Sequence, residues 1–431
     1  MRPYPEFVTP HTRLNDTAFV LLSFEGPDDY SRAGGLGSRV TGLAVALSQQ
    51  GYETHVFFIG SPDAAGHEVT TDGKLHLHRW CQWISRFHAG GVYDGEEGKL
   101  HDWNESLPPW LERNVLADLL ARHRQVLVLA EEWQTTWSLI QISRRMQDLG
   151  YAGRVRCFWN ANNSFGFDRI AWSELKNAAT VTTVSRFMKH QMWRYDVEAR
   201  VIPNGIASEW LQSWDRYAVQ GLRRLAMDRL LLVKVARWDP DKRWLMAVDG
   251  IGALKRLGLR PLLVARGGVE EHGVDVLARV RNLGLVTANI TCADNTAHAL
   301  WRALVNGPQA DVIFVKSALS RAQLQCLYRA SQAVLANSGV EPFGLVGLEA
   351  MACGGVSFLG TTGEDYATHG HDSISIQTAD PGELVSHLMY LRTNRAYESG
   401  LRHQARKTAC RFTWKRVIQS HIAPMLAAEA A

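Results

Sequence analysis

AFVLLSFEGPDDYSRAGGLGSRVTGLAVALSQQGYETHVFFI, residues 18–59, contains in order an apolar strand, a glycine-rich turn, a helix and a second apolar strand. The apolar run Ala18–Phe24 predicts a buried strand. Apolar residues recur with helical spacing over Leu36–Gln50, and Gly51 follows where a helix C-cap glycine belongs. Thr54–Ile59 predicts the next strand. This order predicts a βαβ unit and a parallel sheet.

The same alternation of strands and helices continues through both halves of the chain. A helix is predicted near Trp244–Leu257, and the turn Val201–Gly205 (VIPNG) predicts a domain boundary just after it. The expected fold is therefore α/β, with two domains. Further strands are predicted at Gln125–Ala130, Val155–Trp159, Thr180–Val184, Leu230–Ala236, Pro261–Ala265, Val312–Val315 and Ala333–Ala336.

Composition excludes several classes of protein. The 431 residues are 46% apolar and 21% charged, which excludes disorder as the main state. The net charge of +4 is too small to indicate nucleic-acid binding. No run approaches the length of a membrane span, and Met1–Pro10 lacks the apolar core of a secretory signal. Six scattered cysteines without CxxC spacing predict neither disulfides nor a cysteine zinc site, so a cytoplasmic protein is expected.

Two turns that follow predicted strands carry candidate anion-binding residues. Arg32-Ala-Gly34-Gly35-Leu-Gly opens a helix, where glycine amides and the helix dipole favour a phosphate, although a plain tight turn explains the same residues. Arg237 and Lys242 lie on either side of a proline turn and could converge on a diphosphate. The alternative there is a solvated basic turn.

The most informative segment begins at Ser338 and reads SGVEPFGLVGLEAMACGG. Pro342 and Gly344 place Glu341 in a loop ahead of a helix that contains Glu349. A glutamate in a first helical turn is ordinary dipole complementation, but that does not account for Glu341.

This Glu-x7-Glu segment resembles the signature of retaining nucleotide-sugar glycosyltransferases of family 4. The resemblance implies the GT-B fold, two facing Rossmann-like domains with parallel sheets and an interdomain cleft. It implies an acceptor-side domain over residues 1–205, a donor domain over 206–405, and a C-terminal helix over 406–431 that crosses back to the first domain. Other positions that agree with the family are Gly34–Gly37, Val184–Ser185, Ile202–Ile206, Arg237 with Lys242, Leu324–Tyr328 and Phe412–Trp414.

The resemblance also implies a role for each matching residue. Glu341 would contact the donor sugar, and Glu349 would bind the ribose. Arg237 and Lys242 would neutralise the diphosphate, so neither a metal nor a cofactor is expected. The resemblance implies six further donor-binding positions: Phe343, Gly344, Leu345, Gly34, Gly35 and Arg32. Arg32 begins a loop similar to the Lys-x-Gly-Gly-Leu loop of glycogen and starch synthases, with arginine in the lysine position.

Two stretches depart from the family pattern. The family has a histidine after the middle strand of the first domain, whereas this chain reads Trp159-Asn160 there. Asn160 is the better substitute because its amide can hydrogen-bond a sugar hydroxyl, although an Asn-rich turn would look the same. Glu131-Glu132-Trp133 resembles an acceptor loop of glucan synthases with acids in place of His-Asp. Either glutamate could face the acceptor, or both could be solvated.

Tryptophans and basic residues raise two further alternatives. Four of the fifteen tryptophans, Trp80, Trp83, Trp103 and Trp110, lie close together in sequence and predict either sugar-stacking platforms on the acceptor side or packing between layers. The stretch Arg402–Arg416 has six basic residues and no acid; a charged helix face is favoured over weak contact with an anionic membrane.

The expected function is transfer of a sugar from a nucleotide-diphosphate donor to an acceptor hydroxyl with retention of configuration. Three alternatives stay open: an α-glucan synthase, a disaccharide phosphorylase of the same fold, and a non-catalytic nucleotide-sugar-binding protein.

Overall fold

The computed structural model describes residues 16–227 and 229–427 and divides into two compact units. The first unit holds the described residues up to Gly205 together with those from Trp414 onward, and the second holds Ile206–Thr413. The segment Met1–Pro10, on which the absence of a secretory signal is predicted, lies outside the described residues. None of the described helices is both long and apolar enough to cross a bilayer.

The first unit is built on an eight-stranded sheet with the order β3-β4-β2-β1-β5-β6-β7-β8. Every neighbouring pair is parallel except β3 with β4. Both faces of β1 are buried, as expected of a central strand covered by helices on each side. The strands are β1 (Thr17–Leu22), β2 (Glu53–Ile59), β3 (His67–Val69), β4 (Leu75–Trp80), β5 (Gln125–Glu131), β6 (Val155–Ala161), β7 (Thr180–Thr183) and β8 (Arg200–Val201).

Helices connect these strands and bury apolar faces against the sheet. Helix α1 begins directly after β1 and its glycine turn, and its buried residues Val40, Leu43 and Leu47 pack in one cluster with Phe19 and Phe58. This confirms the βαβ unit predicted from residues 18–59. The helices are α1 (Gly35–Gln49), α2 (Gln82–Ser85), α3 (Glu96–Leu111), α4 (Ala117–Arg122), α5 (Thr136–Asp148), α6 (Trp172–Ala178) and α7 (Arg186–Met192).

The second unit repeats this design with a seven-stranded parallel sheet of order β11-β12-β10-β9-β13-β14-β15. The strands are β9 (Leu230–Val235), β10 (Pro261–Arg266), β11 (Thr287–Ile290), β12 (Val312–Val315), β13 (Ala333–Ala336), β14 (Ser357–Leu359) and β15 (Ile374–Ser375). The helices are α8 (Arg216–Leu225), α9 (Trp244–Arg256), α10 (His272–Asn282), α11 (Ala297–Val305), α12 (Arg321–Ala330), α13 (Leu345–Ala352), α14 (Pro381–Thr393) and α15 (Arg395–Cys410). Two Rossmann-like sheets, parallel except for the edge strand β3, confirm the predicted fold class.

The C-terminal segment predicted over residues 406–431 is divided between the units, since residues 406–413 lie in the second. From Trp414 the chain packs on the first unit as α16 (Trp414–Val417) and α17 (Ala423–Ala427). The Trp414 indole lies so close to Gly42 and Gly205 that a Cβ at either would be 2.3 to 2.5 Å from it. Both positions therefore need glycine.

The basic stretch Arg402–Arg416 is partly used inside the second unit. The Arg402 guanidinium donates to the carbonyls of Gly354 and Ser331 at 3.0 and 2.6 Å. Arg406 donates to the Ala352 carbonyl at 2.8 Å. These two side chains therefore hold neighbouring segments together.

Candidate active site

Each sheet has one point where the strand order reverses, between β1 and β5 in the first unit and between β9 and β13 in the second. In open parallel sheets, ligands bind beyond the carboxyl ends of the strands at such a point. Several residues singled out by the sequence follow these same strands: Gly34 after β1, Glu132 after β5, and Lys242 and Glu341 after β9 and β13, while Asn160 lies in the neighbouring strand β6. Each unit therefore brings its own candidate residues together at one edge of its sheet.

In the second unit, Lys242 and Glu341 contact each other directly. The Lys242 Nζ lies 2.6 Å from Glu341 Oε2, and each side chain is 19% exposed. Residues 99 positions apart in sequence meet because the loops after β9 and β13 leave adjacent strands. Arg237, at the start of the same turn as Lys242, is exposed. A lysine, an arginine and a carboxylate thus lie at the carboxyl end of β9.

Hydrogen bonds fix the loop that carries Glu341. The Ser338 hydroxyl donates to Glu341 Oε2 at 2.9 Å. The Glu341 amide donates to Thr362 Oγ1 at 2.8 Å, and that hydroxyl donates back to the Glu341 carbonyl at 3.0 Å. Backbone and carboxylate are both held, so the charge of Glu341 has a defined position.

Lys234 lies beneath this pair, fully buried in β9. Its Nζ donates to the Leu335 carbonyl at 3.0 Å and to Asn337 Oδ1 at 2.7 Å. Burial first, and then the charge of Lys242, lowers the pKa of Lys234 to about 7. This side chain ties β9 to β13 directly under the candidate site.

Gly344 sets the start of helix α13. Its φ of +81° is in the left-handed region that favours glycine, and a Cβ there would lie 3.0 Å from the Glu364 side chain. Phe343 is buried and packs against Tyr366, whose hydroxyl donates to the Gly344 carbonyl at 2.6 Å. Leu345 is the first helical residue, so the N-terminal amides of α13 begin here.

Glu349 lies inside α13 and is partly exposed. Burial raises the pKa of its carboxyl to about 8, although the positive charge of Arg321 acts in the opposite direction. A carboxyl that holds its proton near neutral pH can both donate and accept a hydrogen bond. Such a carboxyl can bind a hydroxyl group in either role.

In the first unit, the chain's own carboxylate occupies the glycine-rich loop. Glu25 Oε2 accepts hydrogen bonds from the amides of Ala33, Gly34 and Gly37 at 3.1, 3.0 and 3.0 Å. Arg32 lies beside the loop and pairs with Asp29 at 3.6 Å. Of the two glycines expected to hold a donor phosphate, Gly34 therefore already has its amide satisfied by an internal carboxylate.

Asn160 is buried in a polar network. Its Nδ2 donates to Glu131 Oε2 at 2.8 Å, and its Oδ1 accepts from the Thr182 hydroxyl at 3.0 Å. The Arg39 guanidinium binds Glu131 at 3.0 Å and donates to Asn204. The Asn160 amide is thus engaged on both sides by protein groups.

Glu132 and Glu131 are both buried, which excludes the alternative that both are solvated. Its Oε1 accepts the Asn162 amide at 2.7 Å, and burial raises the pKa of the carboxyl to about 8. The residue has a φ of +66°, a strained conformation for a side chain with a Cβ. The adjacent Trp133 is also buried, with the Arg169 guanidinium 4.7 Å from its ring centre.

The tryptophans mostly serve packing. Trp103 has no exposed surface and donates to the Ser138 hydroxyl at 3.0 Å, which favours packing over an acceptor platform at this position, because a core side chain cannot stack on a sugar. Trp80 packs edge-on against Trp110 with ring centres 5.2 Å apart. Trp83 is different, because 62% of it is exposed.

Solved structures resemble this chain over almost its whole length. Sucrose-phosphate synthase from Thermosynechococcus elongatus has a TM-score of 0.67 and 16% identity, covering 96% of this chain and 100% of that one. The catalytic domain of starch synthase IV from Arabidopsis thaliana, bound to ADP and acarbose, has a TM-score of 0.66 and 14% identity, covering 95% of this chain and 99% of that one. Anabaena HepE in complex with UDP-glucose has a TM-score of 0.60 and 14% identity, covering 95% of this chain and 99% of that one. At these identities the likeness shows the fold.

Family models decide the class. Residues 33–210 match Glycosyltransferase Family 4, and residues 302–409 match Glycosyl transferases group 1. Together the two matches span about two thirds of the chain, and with the fold they support a GT-B glycosyltransferase. No curated protein sequence matches this glycosyltransferase significantly. The second match contains Glu341 and Glu349, and the first contains Gly34, Glu132 and Asn160.

The sequence does not single out two glutamates that lie beside the candidate residues of the glycosyltransferase, Glu364 and Glu25. Glu364 is buried beside Glu341, and burial together with that negative charge raises the pKa of its carboxyl to about 7. Its Oε1 is buried without a hydrogen-bond partner. Glu25 lies under the glycine loop. The position of each glutamate after a strand, β14 or β1, was the available signal.

Proposed function

We propose that this glycosyltransferase moves a sugar from a nucleoside-diphosphate donor to an acceptor hydroxyl with retention of anomeric configuration. The observation that carries the proposal is the contact between Lys242 and Glu341 at the carboxyl end of β9. Structures of similar fold hold ADP, UDP or UDP-glucose, which supports a nucleotide-linked donor.

Positive groups of the second unit would stabilise the leaving diphosphate. Negative charge grows on the phosphate oxygens as the sugar–phosphate bond breaks, and fixed donors at that position lower the barrier. Lys242 and Arg237 supply cations, and the α13 amides after Gly344 supply backbone donors. These side chains would provide the stabilisation that a metal ion supplies in other transferases.

Glu341 would act on the sugar. As the diphosphate leaves, positive charge develops at the anomeric carbon, and a nearby carboxylate attracts it more strongly in the transition state than in the ground state. The contact with Lys242 fixes that carboxylate beside the phosphate-binding cation. One ion pair would thus serve both charges that separate in the reaction.

The remaining residues would bind the nucleotide and the acceptor. Glu349, with its raised pKa, would hydrogen-bond the ribose hydroxyls. Glu132 carries a proton near neutral pH and would donate a hydrogen bond to an acceptor oxygen. The leaving phosphate would take the proton from the attacking hydroxyl on the same face of the sugar, so the configuration is retained.

Release of nucleoside diphosphate from uridine, adenosine and guanosine diphosphate sugars tests this function. One donor should give slow release without acceptor, and Glu341→Gln should abolish most of it. The exposed Glu271 offers a matched control, since Glu271→Gln should leave the rate unchanged. Absence of release from every donor would favour a binding protein. Proton NMR of the product should show the anomeric configuration of the donor; inversion would overturn the mechanism.

A further inference from the structure

Four histidines lie on one face of the edge strands of the first unit. His55 on β2 pairs with His76 on β4, and their stacked rings are 4.2 Å apart. His67 on the antiparallel strand β3 pairs with His78 on β4, with ring centres 4.4 Å apart. Residues two apart on a strand share a face, so the four side chains form one continuous array.

A carboxylate completes a possible ligand set at one end of this array. Glu53 begins β2, and its Oε1 lies 3.3 Å from His55 Nε2. One ligand atom from each of Glu53, His55 and His76 lies within 4.8 Å of the other two. Tetrahedral zinc with bonds of about 2.0–2.1 Å has ligand atoms about 3.3 Å apart, close to the distance already present between two of them.

The other two histidines are placed to orient the ligands. His55 Nδ1 lies 3.0 Å from His78 Nε2, and His76 Nδ1 lies 3.4 Å from His67 Nε2. A histidine that binds a metal through one nitrogen usually donates the N–H of the other to a fixed acceptor. Ring stacking accounts for the contacts between the ring faces. It does not account for two histidine pairs whose ring nitrogens face each other beside a carboxylate.

The electrostatic state of the cluster also suits a cation. Glu53 is held as an anion by the Arg122 guanidinium, which lies 2.8 Å from Oε1, and by His123, 2.9 Å from Oε2. Arg122 therefore competes with a metal ion for the carboxylate.

We propose that Glu53, His55 and His76 bind a divalent transition-metal ion, zinc before others, with water as the fourth ligand. The site lies near the amino ends of β2 and β4, whereas the candidate active-site residues follow the carboxyl ends of strands. Its role is thus to fasten the edge of the sheet, where β4 and β3 are the last strands. This site is independent of the proposed transfer reaction.

Binding of zinc and cobalt to untagged, chelator-treated protein tests the proposal. One equivalent of Zn²⁺ should bind, and Co²⁺ should give the intense visible bands of a tetrahedral N/O site. His76→Asn should weaken binding at least 100-fold, while His101→Asn, which alters an exposed histidine on α3, should not change it. Arg122→Gln should tighten binding several-fold by freeing Glu53.

Two results would overturn the site. The first is wild-type protein that binds no zinc, or cobalt without tetrahedral bands. The second is equal affinity of His76→Asn and His101→Asn, which would place bound metal elsewhere. If His76→Asn fails to fold, the Arg122→Gln comparison decides the matter: unchanged or weaker binding contradicts a role for Glu53. Sugar transfer is not measured in these assays, so failure here leaves the proposed function standing.

Discussion

The carboxyl ends of the two sheets differ in what holds their polar groups. In the second unit, Lys242 and Glu341 pair at a partly exposed position, and Arg237 is exposed nearby. In the first unit, Glu25 takes the amides of the glycine loop, and Asn160 is bonded on both sides. The second unit presents charges to an incoming anion, whereas a ligand in the first must displace internal hydrogen bonds. Similar βα turns thus make an open site in one unit and a satisfied network in the other.

Replacing Lys242 should have the largest effect. We expect Lys242→Ala to lower donor turnover by about 10²–10³-fold, the order for loss of one charged transition-state contact. Lys255 is a matched control because it pairs with a carboxylate, Asp311, at 2.6 Å elsewhere in the second unit. If Lys242→Ala and Lys255→Ala turn over the donor equally well, the open site of the second unit does not bind the diphosphate.

Replacing Glu25 tests the satisfied network. Glu25→Gln removes a charge that accepts three amide hydrogen bonds, so the free energy of unfolding should fall by about 1–3 kcal/mol. Chemical denaturation measures this. Affinity for nucleoside diphosphate should stay the same. A tenfold gain in affinity would show that Glu25 competes with a phosphate for the glycine loop, and the contrast between the units would fail.

Glu349 should matter for binding more than for turnover. Glu349→Ala should weaken nucleoside-diphosphate binding by about tenfold, or about 1.4 kcal/mol, through the ribose. The turnover number should change less, because the side chain is expected away from the reacting bond. Calorimetric titration and saturation kinetics separate the two quantities. The reverse pattern would move Glu349 next to the sugar.

The first unit should also show a pH dependence of stability. Burial raises the pKa of Glu132 from 4.5 to about 8, so the folded state favours the protonated form. The stability that this contributes is present below pH 4.5 and is lost as the pH rises toward 8. The melting temperature of wild-type protein should therefore fall, relative to Glu132→Gln, between pH 5 and 8. Parallel pH curves would contradict a buried, protonated Glu132.

Much of the fold could be predicted from sequence because buried parallel strands are continuous apolar runs. Strands β1, β5, β9 and β13, which flank the switch points, are of this kind. No strand is predicted over β3 and β4, because residues such as His76, His78 and Arg79 break the apolar pattern. Strand β4 pairs with β2, and β3 pairs with β4, so the histidine cluster depends on strand pairing and is invisible in the linear sequence.

The site in the second unit could be predicted because one short segment carries Glu341, Gly344 and Glu349 together. In the first unit, Gly34 and Asn160 were recognised, but their partners Glu25 and Glu131 were not assigned to them. A glycine turn such as that at Gly34, or an asparagine such as Asn160, has the same sequence whether its hydrogen bonds go to a ligand or to the protein. Only the fold distinguishes these cases.

The central claim is that Glu341 acts on the sugar in the transition state and not on the nucleotide. The direct test is Glu341→Gln, with turnover and nucleoside-diphosphate affinity measured on the same preparation. We predict a fall in kcat of about 10²-fold or more, at least about 2.7 kcal/mol, with affinity changed by less than about threefold. Near-normal turnover, or a loss confined to nucleotide affinity, would contradict the account.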